Sequence, residues 1–562
     1  MVYPAFDPQR TAHRDTFVKD RLPPLEHWPE LTEGPVYPER LNAAASLVDE
    51  AVAKGLGSRR AILGVDTVWT YDDLKAEVDR IAWTLTKDFG LIPGQRVLIR
   101  APNTPRAAAA WLAVLKAGGV AVATMPLLRS KELVQILDKA AATLALCDVT
   151  LIEELETAAQ QRELTIVAIG NSGTSLETLA QKYDEPFEAV QTYQDDPALL
   201  AFTSGTTGVP KACVHFHRDI LLMADTFSAE VLKPTPDDVF VGSPPLAFTF
   251  GLGALLIFPL RAGATAVLPG MLPPAALMEA AETFGGTMIF TSPTAYRSLL
   301  ADDTFRVPTS VTTCVSAGEA LPAATSDAWF ERTGIRLIDG IGSTEMIHIF
   351  ISACPDTARA GATGRPLGGY QARVVDDRFQ DVPKGEVGRL IVRGPIGCRY
   401  LDDRRQGEYV QNGWNVTGDL YRKDEDGYFT YVSRADDMIV SSGYNIAAAE
   451  VEDALVGHPF VRECAVVGAP DEKRGSVVCA FVVLAEGHPS DIEGMTAELQ
   501  DFAKGRMAPY KYPRRIEFLD TMPKTPSGKI QRHLLRSFVS RTPFPATIPK
   551  PDPNQTGTRS TA

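Results

Sequence analysis

Apolar and polar positions divide the chain into regions of different texture. From residue 96, short apolar runs alternate with longer half-apolar segments. RVLIR (96–100) predicts a strand, the Ala-rich stretch at 104–117 a helix, GGVAVATM (118–125) a strand, SKELVQILDKAA (130–141) a helix and TLALCD (143–148) a strand. Runs too apolar to leave one face in water imply a mostly parallel sheet covered by helices on both faces. The alternation resumes at LTIVAIG (164–170) and ALLAFT (198–203). It then predicts a helix over ACVHFHRDILLMADTFSAEVL (212–232) and strands at VFVG, ATAVL, TMIFT, TTCVSAG and IRLIDG, the last ending at residue 340.

Past about residue 350 the texture changes to short strands separated by Gly, Asp and Pro: GATGRPLGGYQARVVD, GEVGRLIVRG and GWNVTGDLYRKDEDGYFTYV. These predict a small antiparallel, β-barrel-like unit. Residues 437 to about 540 return to mixed helix and strand (AAAEVEDALVGH, ECAVVGAP, SVVCAFVVL). The expected organisation is a large N-terminal domain over 1–435, a small C-terminal α+β domain over 436–545 and a polar, Pro-rich disordered tail over 546–562. The first 60 or so residues, rich in Pro, Arg and Glu, are expected to wrap over the body without forming a core.

Composition narrows the function classes. The 562 residues are 45% hydrophobic and 22% charged, the profile of a globular protein. A net charge of −14 argues against nucleic-acid or anionic-membrane partners, both of which need basic surface. Seven scattered cysteines without a CxxC pair read as reduced thiols, and no apolar signal core opens the sequence, so a cytoplasmic setting is expected. His215 and His217 lie two residues apart with no third ligand nearby, which makes a metal site there a poor expectation.

Chemistry is concentrated in a few loops. AFTSGTTGVPKACVH places Thr203, Ser204, Gly205, Thr206, Thr207 and Gly208 after an apolar run, with Lys211 following. Glycines that let the backbone approach, with N–H groups, hydroxyls and a lysine as donors, can surround a phosphate, although a flexible surface turn has similar composition. Val209 and Pro210 separate the last Gly from the Lys, so this is not a Walker loop. SAGEAL (Ser316, Ala317, Gly318, Glu319) and DGIGSTEM (Asp339, Gly340, Ile341, Gly342, Ser343, Thr344, Glu345) each follow a predicted strand and should reach the same sheet edge. Glu345 beside two hydroxyl residues can hold a divalent cation on phosphates, or serve as a helix cap. TGDL puts Asp419 in a turn, where it can accept ribose hydroxyls or form an Asx-turn. Arg434, Asp436 and Gly443 fall in a linker, and TPSGKIQR carries Lys529 after a glycine.

These stretches, in this order and at these separations, resemble the acyl-adenylate-forming (AMP-binding) superfamily over about residues 40–540. TSGTTGVPKA is similar to its phosphate loop, DGIGSTEM to its adenine and magnesium motif, TGDL to its ribose aspartate, RADDMIVSSGYNI to its hinge and PKTPSGKIQR to its catalytic-lysine motif. The resemblance implies two doubly wound, mostly parallel α/β sheets with a mobile C-terminal domain, and ATP, Mg²⁺ and coenzyme A as cofactors. It implies residues 203–208 and Lys211 on the phosphates, residues 316–319 and 339–343 about the nucleotide, Thr344 and Glu345 with Mg²⁺, Asp419 on the ribose, Arg434 among the cofactor-binding residues and Gly443 on the pantetheine path. Asp436 would be the hinge and Lys529 the catalytic lysine that bridges carboxylate and α-phosphate.

PPLAFTFGLG and GIGSTEMIHIF resemble the benzoate-type CoA ligases, and TAHRDTFVKDRLPPLEHWPEL the branch acting on 2-aminobenzoate and salicylate. Phe248, Thr249, Phe250, Gly251, Ile341 and His348 are the candidate acid pocket, since aromatic walls suit a flat ring. Thr249 or His348 could bond an ortho amino or hydroxyl group, while His348 could equally be a satisfied core histidine. Ala212, Ile341 and Ala448 depart from residues common in the superfamily, and none of them removes a reacting group. The implied activity is an ATP-dependent aryl-CoA ligase, with a short- or medium-chain acyl-CoA ligase or a carrier-protein-directed adenylation enzyme as alternatives. A homodimer is compatible with it.

Overall fold

The alternation between residues 96 and 203 folds as one side of a six-stranded sheet, ordered Thr165–Ile169, Leu144–Asp148, Arg96–Arg100, Val120–Thr124, Pro197–Thr203 and Lys211–Phe216. All pairs are parallel except the last, a hairpin. This computed structural model describes residues 7, 10–170, 173–203, 210–441, 444–471, 475–487, 492–507, 511–525 and 528–539. A second, nine-stranded sheet has a parallel centre built from Leu337–Gly342, Thr313–Ala317, Met288–Thr291, Val239–Gly242, Thr265–Val267 and Arg60–Leu63. Antiparallel strands close both of its edges.

The period-2 pattern separates the two faces of each sheet. Val97, Ile99 and Leu199 join Phe240, Phe290 and Ile338 in one large core, while Leu98, Val122 and Leu200 face a second core and Val241, Ile289 and Cys314 a third. The helix Pro105–Lys116 runs through the large core. Proline at its first position and the Thr104 hydroxyl accepting from Ala107 N–H start it, and its run of alanines permits close packing. An antiparallel sheet of Gln371–Val375, Val387–Arg393, Trp414–Lys423 and Val410–Gln411 follows, matching the texture change near residue 350.

The N-terminal segment differs from expectation. It does strap the body, through Arg96 to Asp15 at 2.5 Å and Arg393 to Glu30 at 2.5 Å. Yet Leu41, Ala43, Ala44, Leu47, Val48 and Ala51 enter the large core, because Asn42 caps a short helix there and turns its apolar side inward.

Lys116 is fully buried at the end of its helix, bonded to Asp49 at 2.6 Å and to Asp79. Replacing Lys116 with methionine keeps the stem and leaves Asp79 and Asp49 with Lys75, at 2.6 and 3.6 Å, as their remaining cation, so a loss of about 1.5–3 kcal/mol in denaturant melts is expected. A loss under about 1 kcal/mol would mean that water reaches the cluster.

Contacts divide the chain into two compact units, Met1–Tyr431 and Val432–Ala562. In the second, Val461–Asp471, Gly475–Leu484 and Arg515–Phe518 form a sheet with separate cores on its faces, Val466, Val478 and Leu499 on one and Val467, Phe481 and Leu535 on the other. The expected tail at 546–562 lies outside the described residues. Among the described residues no helix is long and apolar enough to cross a membrane. The seven cysteines are free thiols.

Candidate active site

Thr203 closes the strand Pro197–Thr203 and pairs with Lys211, which opens the returning strand. Ser204, Gly205, Thr206, Thr207 and Gly208, between them, lie outside the described residues. The helix expected over 212–232 starts only at His217, because Lys211–Phe216 is a strand paired on both edges. Pro197–Thr203 lies on one side, and on the other Val214 N–H donates to Arg399 O and Leu401 N–H to Ala212 O. Two ladders of backbone bonds outweigh local helix propensity. The pleat points Ala212, Val214 and Phe216 into a core and leaves Lys211, Cys213 and His215 on the opposite face.

That face meets the turn carrying Glu345. Lys211 Nζ donates to the Tyr400 hydroxyl at 2.7 Å, and the Tyr400 hydroxyl donates to Glu345 Oε1 at 2.5 Å. Lys211 Nζ is 3.7 Å from the same oxygen, and its ammonium stands 4.6 Å from the Tyr400 ring centroid and 5.8 Å from that of Tyr409. The Tyr409 hydroxyl reaches Ser343 Oγ at 3.4 Å. Burial and the Glu345 charge push the Tyr400 phenol well above its ordinary pKa, so it stays a donor. Tyr400 and Tyr409 carry no sequence signal of their own. The pairing of residues 399–401 with the strand Lys211–Phe216 delivers Tyr400.

Glu345 is buried in the 3₁₀ turn Thr344–Met346, which Ser343 caps by accepting from Met346 N–H. Ile347 then adopts φ 61°, ψ −35°, a positive-φ conformation outside the left-handed helical well that a β-branched residue takes only at a cost of about 1–3 kcal/mol. The reversal sends Glu345 to one side and His348 to the other. Glu345, Thr344 and the Tyr400 hydroxyl are hard oxygen donors. One carboxylate among hydroxyls suits Mg²⁺ held mainly by substrate phosphates, and among the described residues no cluster of three metal-ligating side chains competes with that arrangement.

On the nucleotide side, Ser316 pairs with Asp339 and Ala317 with Gly340 in adjacent parallel strands, so both motifs reach one sheet edge. The Thr203 and Ser316 hydroxyls are buried without a hydrogen-bond partner among the described residues, available to a ligand. Gly318, at φ 92°, turns the chain there. Glu319 accepts from the Thr294 N–H and hydroxyl, which commits it to the start of the helix Pro293–Leu300. Burial pushes the Asp339 carboxyl up to about 7, against the Gly340 N–H and Thr363, which favour its charged form. Ile341 and Gly342 complete the strand, where a side chain on Gly342 would strike the His348 carbonyl. The Tyr421 phenol is raised by burial and by the charges of Asp419 and Asp339. Asp419 is not in a turn. It sits inside the strand Trp414–Lys423, where Gly418 at φ 76° makes a bulge between the Leu420–Arg389 and Val416–Ile391 pairs.

Phe248 precedes the short helix Thr249–Leu252. The Phe250 ring lies 5.8 Å from His348 and 6.3 Å from Phe290. The space a side chain on Gly251 would need is filled by the Pro244 and Pro245 carbonyls, whereas Gly253, the last residue of PPLAFTFGLG and not among the candidate pocket residues, lies against the His348 ring. His348 is 3% exposed among Phe227, Phe250 and Phe258, and neither ring nitrogen has a hydrogen-bonding partner among the described residues. Burial pulls its pKa down to about 3 and outweighs the Phe250 backbone, which favours the charged form, so the ring is neutral at pH 7.

Lys529, Arg434 and Asp436 belong to the second unit. Lys529 is exposed on a short hairpin, its carbonyl accepting from Thr525 N–H at 2.7 Å. Arg434 ends the strand Phe429–Arg434 and Asp436 lies in the 3₁₀ turn Ala435–Asp437. Gly443 lies outside the described residues.

The AMP-binding enzyme family profile matches residues 49–399, and that of the AMP-binding enzyme C-terminal domain residues 450–529. A benzoate–CoA ligase of Thauera aromatica is 36% identical over 89% of this chain and 96% of its own. A 4-hydroxybenzoate–CoA/benzoate–CoA ligase of Rhodopseudomonas palustris is 33% identical over 89% and 94%. Among solved structures, the anthranilate CoA ligase AuaEII in complex with anthranoyl-AMP matches with a TM-score of 0.85 at 34% identity, covering 90% of this chain and 98% of its own. Shared over nearly its whole length with these enzymes, the fold and the paired motifs make this chain a member of the AMP-binding enzyme family, an ATP-dependent acid–thiol ligase of the benzoate-type CoA ligase group.

Proposed function

We propose that the enzyme activates an ortho-substituted benzoate, 2-aminobenzoate or salicylate, and transfers it to coenzyme A. The observation that carries this is His348, a neutral imidazole buried among phenylalanines with neither nitrogen in a well-formed hydrogen bond. A buried polar group without a partner is costly unless a ligand supplies one. Neutral imidazole offers one donor and one acceptor, which suits an amino or a hydroxyl group beside a carboxylate. Likeness to a ligase solved with anthranoyl-AMP supports the same class.

The carboxylate attacks the α-phosphate of ATP in line, giving an acyl-adenylate and pyrophosphate. The CoA thiol then attacks the activated carbonyl and expels AMP. In this reading Thr203, Lys211 and the loop between them hold the β and γ phosphates, Asp339 and Asp419 face the nucleoside, and Thr344 and Glu345 would hold Mg²⁺, which would supply positive charge against the phosphates. Lys529 bridges carboxylate and α-phosphate as charge develops. Rotation about Asp436 then withdraws it and brings Gly443 to the pantetheine path. Phe248, Thr249, Phe250 and Ile341 enclose the ring beside His348.

Rates for benzoate, 2-aminobenzoate and salicylate, each with and without CoA, test the reading through pyrophosphate release. The ortho-substituted acids are expected to exceed benzoate by about 10-fold or more in kcat/KM, one well-placed hydrogen bond in a dry pocket. His348→Leu is expected to erase that preference while benzoate turnover stays within about 3-fold. Equal rates for the three acids, or a preference that survives His348→Leu, would remove the ortho assignment.

A further inference from the structure

His215 shares the face of its strand with Lys211 and is fully buried. Its Nε2 is 2.8 Å from the Thr344 carbonyl oxygen, and because a carbonyl only accepts, Nε2 carries the proton. Its Nδ1 faces Asp219 Oδ2 at 3.7 Å. That same oxygen accepts from Arg399 at 2.9 Å and from Phe216 N–H at 3.0 Å, and both Asp219 and Arg399 are buried. A rigid buried ion pair thus backs the imidazole, and the imidazole backs the turn that carries Glu345. The turn needs such backing. It is a single 3₁₀ turn, followed at once by Ile347 at φ 61°, and relaxation of Ile347 to negative φ would swing Glu345 and His348 away from their positions.

We propose that His215 is a positioning residue for adenylation, holding the Thr344 carbonyl so that the Glu345 carboxylate keeps its orientation toward the phosphate-bound cation. The proposal rests on the cation-holding role given to Glu345 above.

Two variants of similar length separate the hydrogen bond from packing. His215→Gln retains an N–H near the position of Nε2, and His215→Met fills the space without a donor. The methionine variant is expected to lower ATP–pyrophosphate exchange about 10- to 100-fold, with thioester formation from supplied benzoyl-adenylate within about 2-fold. By calorimetry it should weaken Mg·ATP binding about 3- to 10-fold while leaving ATP in EDTA unchanged. Glutamine should recover exchange to within about 3-fold of the parent. If the methionine variant does not melt cooperatively, His215→Asn takes its place, since its amide faces Asp219 but falls short of the carbonyl, and the same losses are expected. Unchanged exchange in a folded donor-less variant, equal loss in both half-reactions, or glutamine as damaging as the donor-less variant would each overturn the proposal. Glu345→Gln, measured in parallel, tells the two levels apart. If it leaves the Mg·ATP advantage intact, the role of Glu345 fails and takes this proposal with it. If it abolishes that advantage while the donor-less variant does not reduce it, only the role of His215 fails.

Discussion

Lys529→Ala is expected to lower acyl-adenylate formation about 10²–10³-fold while thioester formation from supplied acyl-adenylate stays near the parent rate. The argument begins with local structure. Thr525 N–H donates to the Lys529 carbonyl at 2.7 Å, Lys529 N–H donates to Thr525 Oγ1 at 3.1 Å, and Gly528 at φ 85° closes the hairpin, so the backbone is held whatever side chain stands at 529. The side chain is exposed, and its removal should shift stability by no more than about 0.5 kcal/mol. On the proposed mechanism, what disappears is a positive charge for the oxygens where negative charge develops in the first transition state. The second half-reaction has no such carboxylate–phosphate encounter. Pyrophosphate exchange and single-turnover thioesterification, measured on one preparation, separate the two steps. A parallel fall in both would assign Lys529 to general binding instead.

Glu345→Gln should reduce adenylation by about 10²-fold, with a larger share of the loss recovered by raising Mg²⁺ than by raising the acid. Glutamine keeps the shape of the site, and its carbonyl can still accept from Tyr400, which now donates to Glu345 Oε1 at 2.5 Å. The charge alone is lost. Lys211, 3.7 Å from that oxygen, would then face a neutral amide, so on the proposed mechanism the ammonium would be freed toward phosphate and the cation would lose its carboxylate. These effects oppose one another in ATP affinity and agree in lowering the rate of in-line attack. Tyr400→Phe, which removes the hydroxyl between Lys211 and Glu345, is the milder companion, with about a 10-fold loss expected. Full activity of Glu345→Gln at limiting Mg²⁺ would discard the cation role.

Much of the fold was legible because its signals are local. The runs at 96–100, 143–148 and 287–291 are too short and too evenly apolar for amphipathic helices, and each became a strand of a parallel sheet. The motifs at 316–319 and 339–345 follow such strands, so their convergence at one edge followed from strand direction, and the Ser316–Asp339 register bears this out. The misplacements share a cause. KACVHF reads as the start of a helix until the segment at 399–401 supplies a second edge of hydrogen bonds, and that partner lies almost two hundred residues away. Asp419 reads as a turn residue because TGDL has turn composition, whereas Gly418 spends its positive φ on a bulge inside a strand.

The class of enzyme was legible in the sequence alone, since the phosphate-loop, acidic and lysine motifs are contiguous stretches that resemble, in order and separation, those of the AMP-binding family. Tertiary structure decided how those motifs are held. Tyr400 between Lys211 and Glu345, His215 beneath Thr344, and His348 left without a partner among phenylalanines are all products of packing between remote segments. The physical reason is range. Backbone conformation and charge type are properties of neighbours in the chain, whereas desolvation, hydrogen-bond satisfaction and the strain tolerated at Ile347 are set by whichever distant residues close around the site.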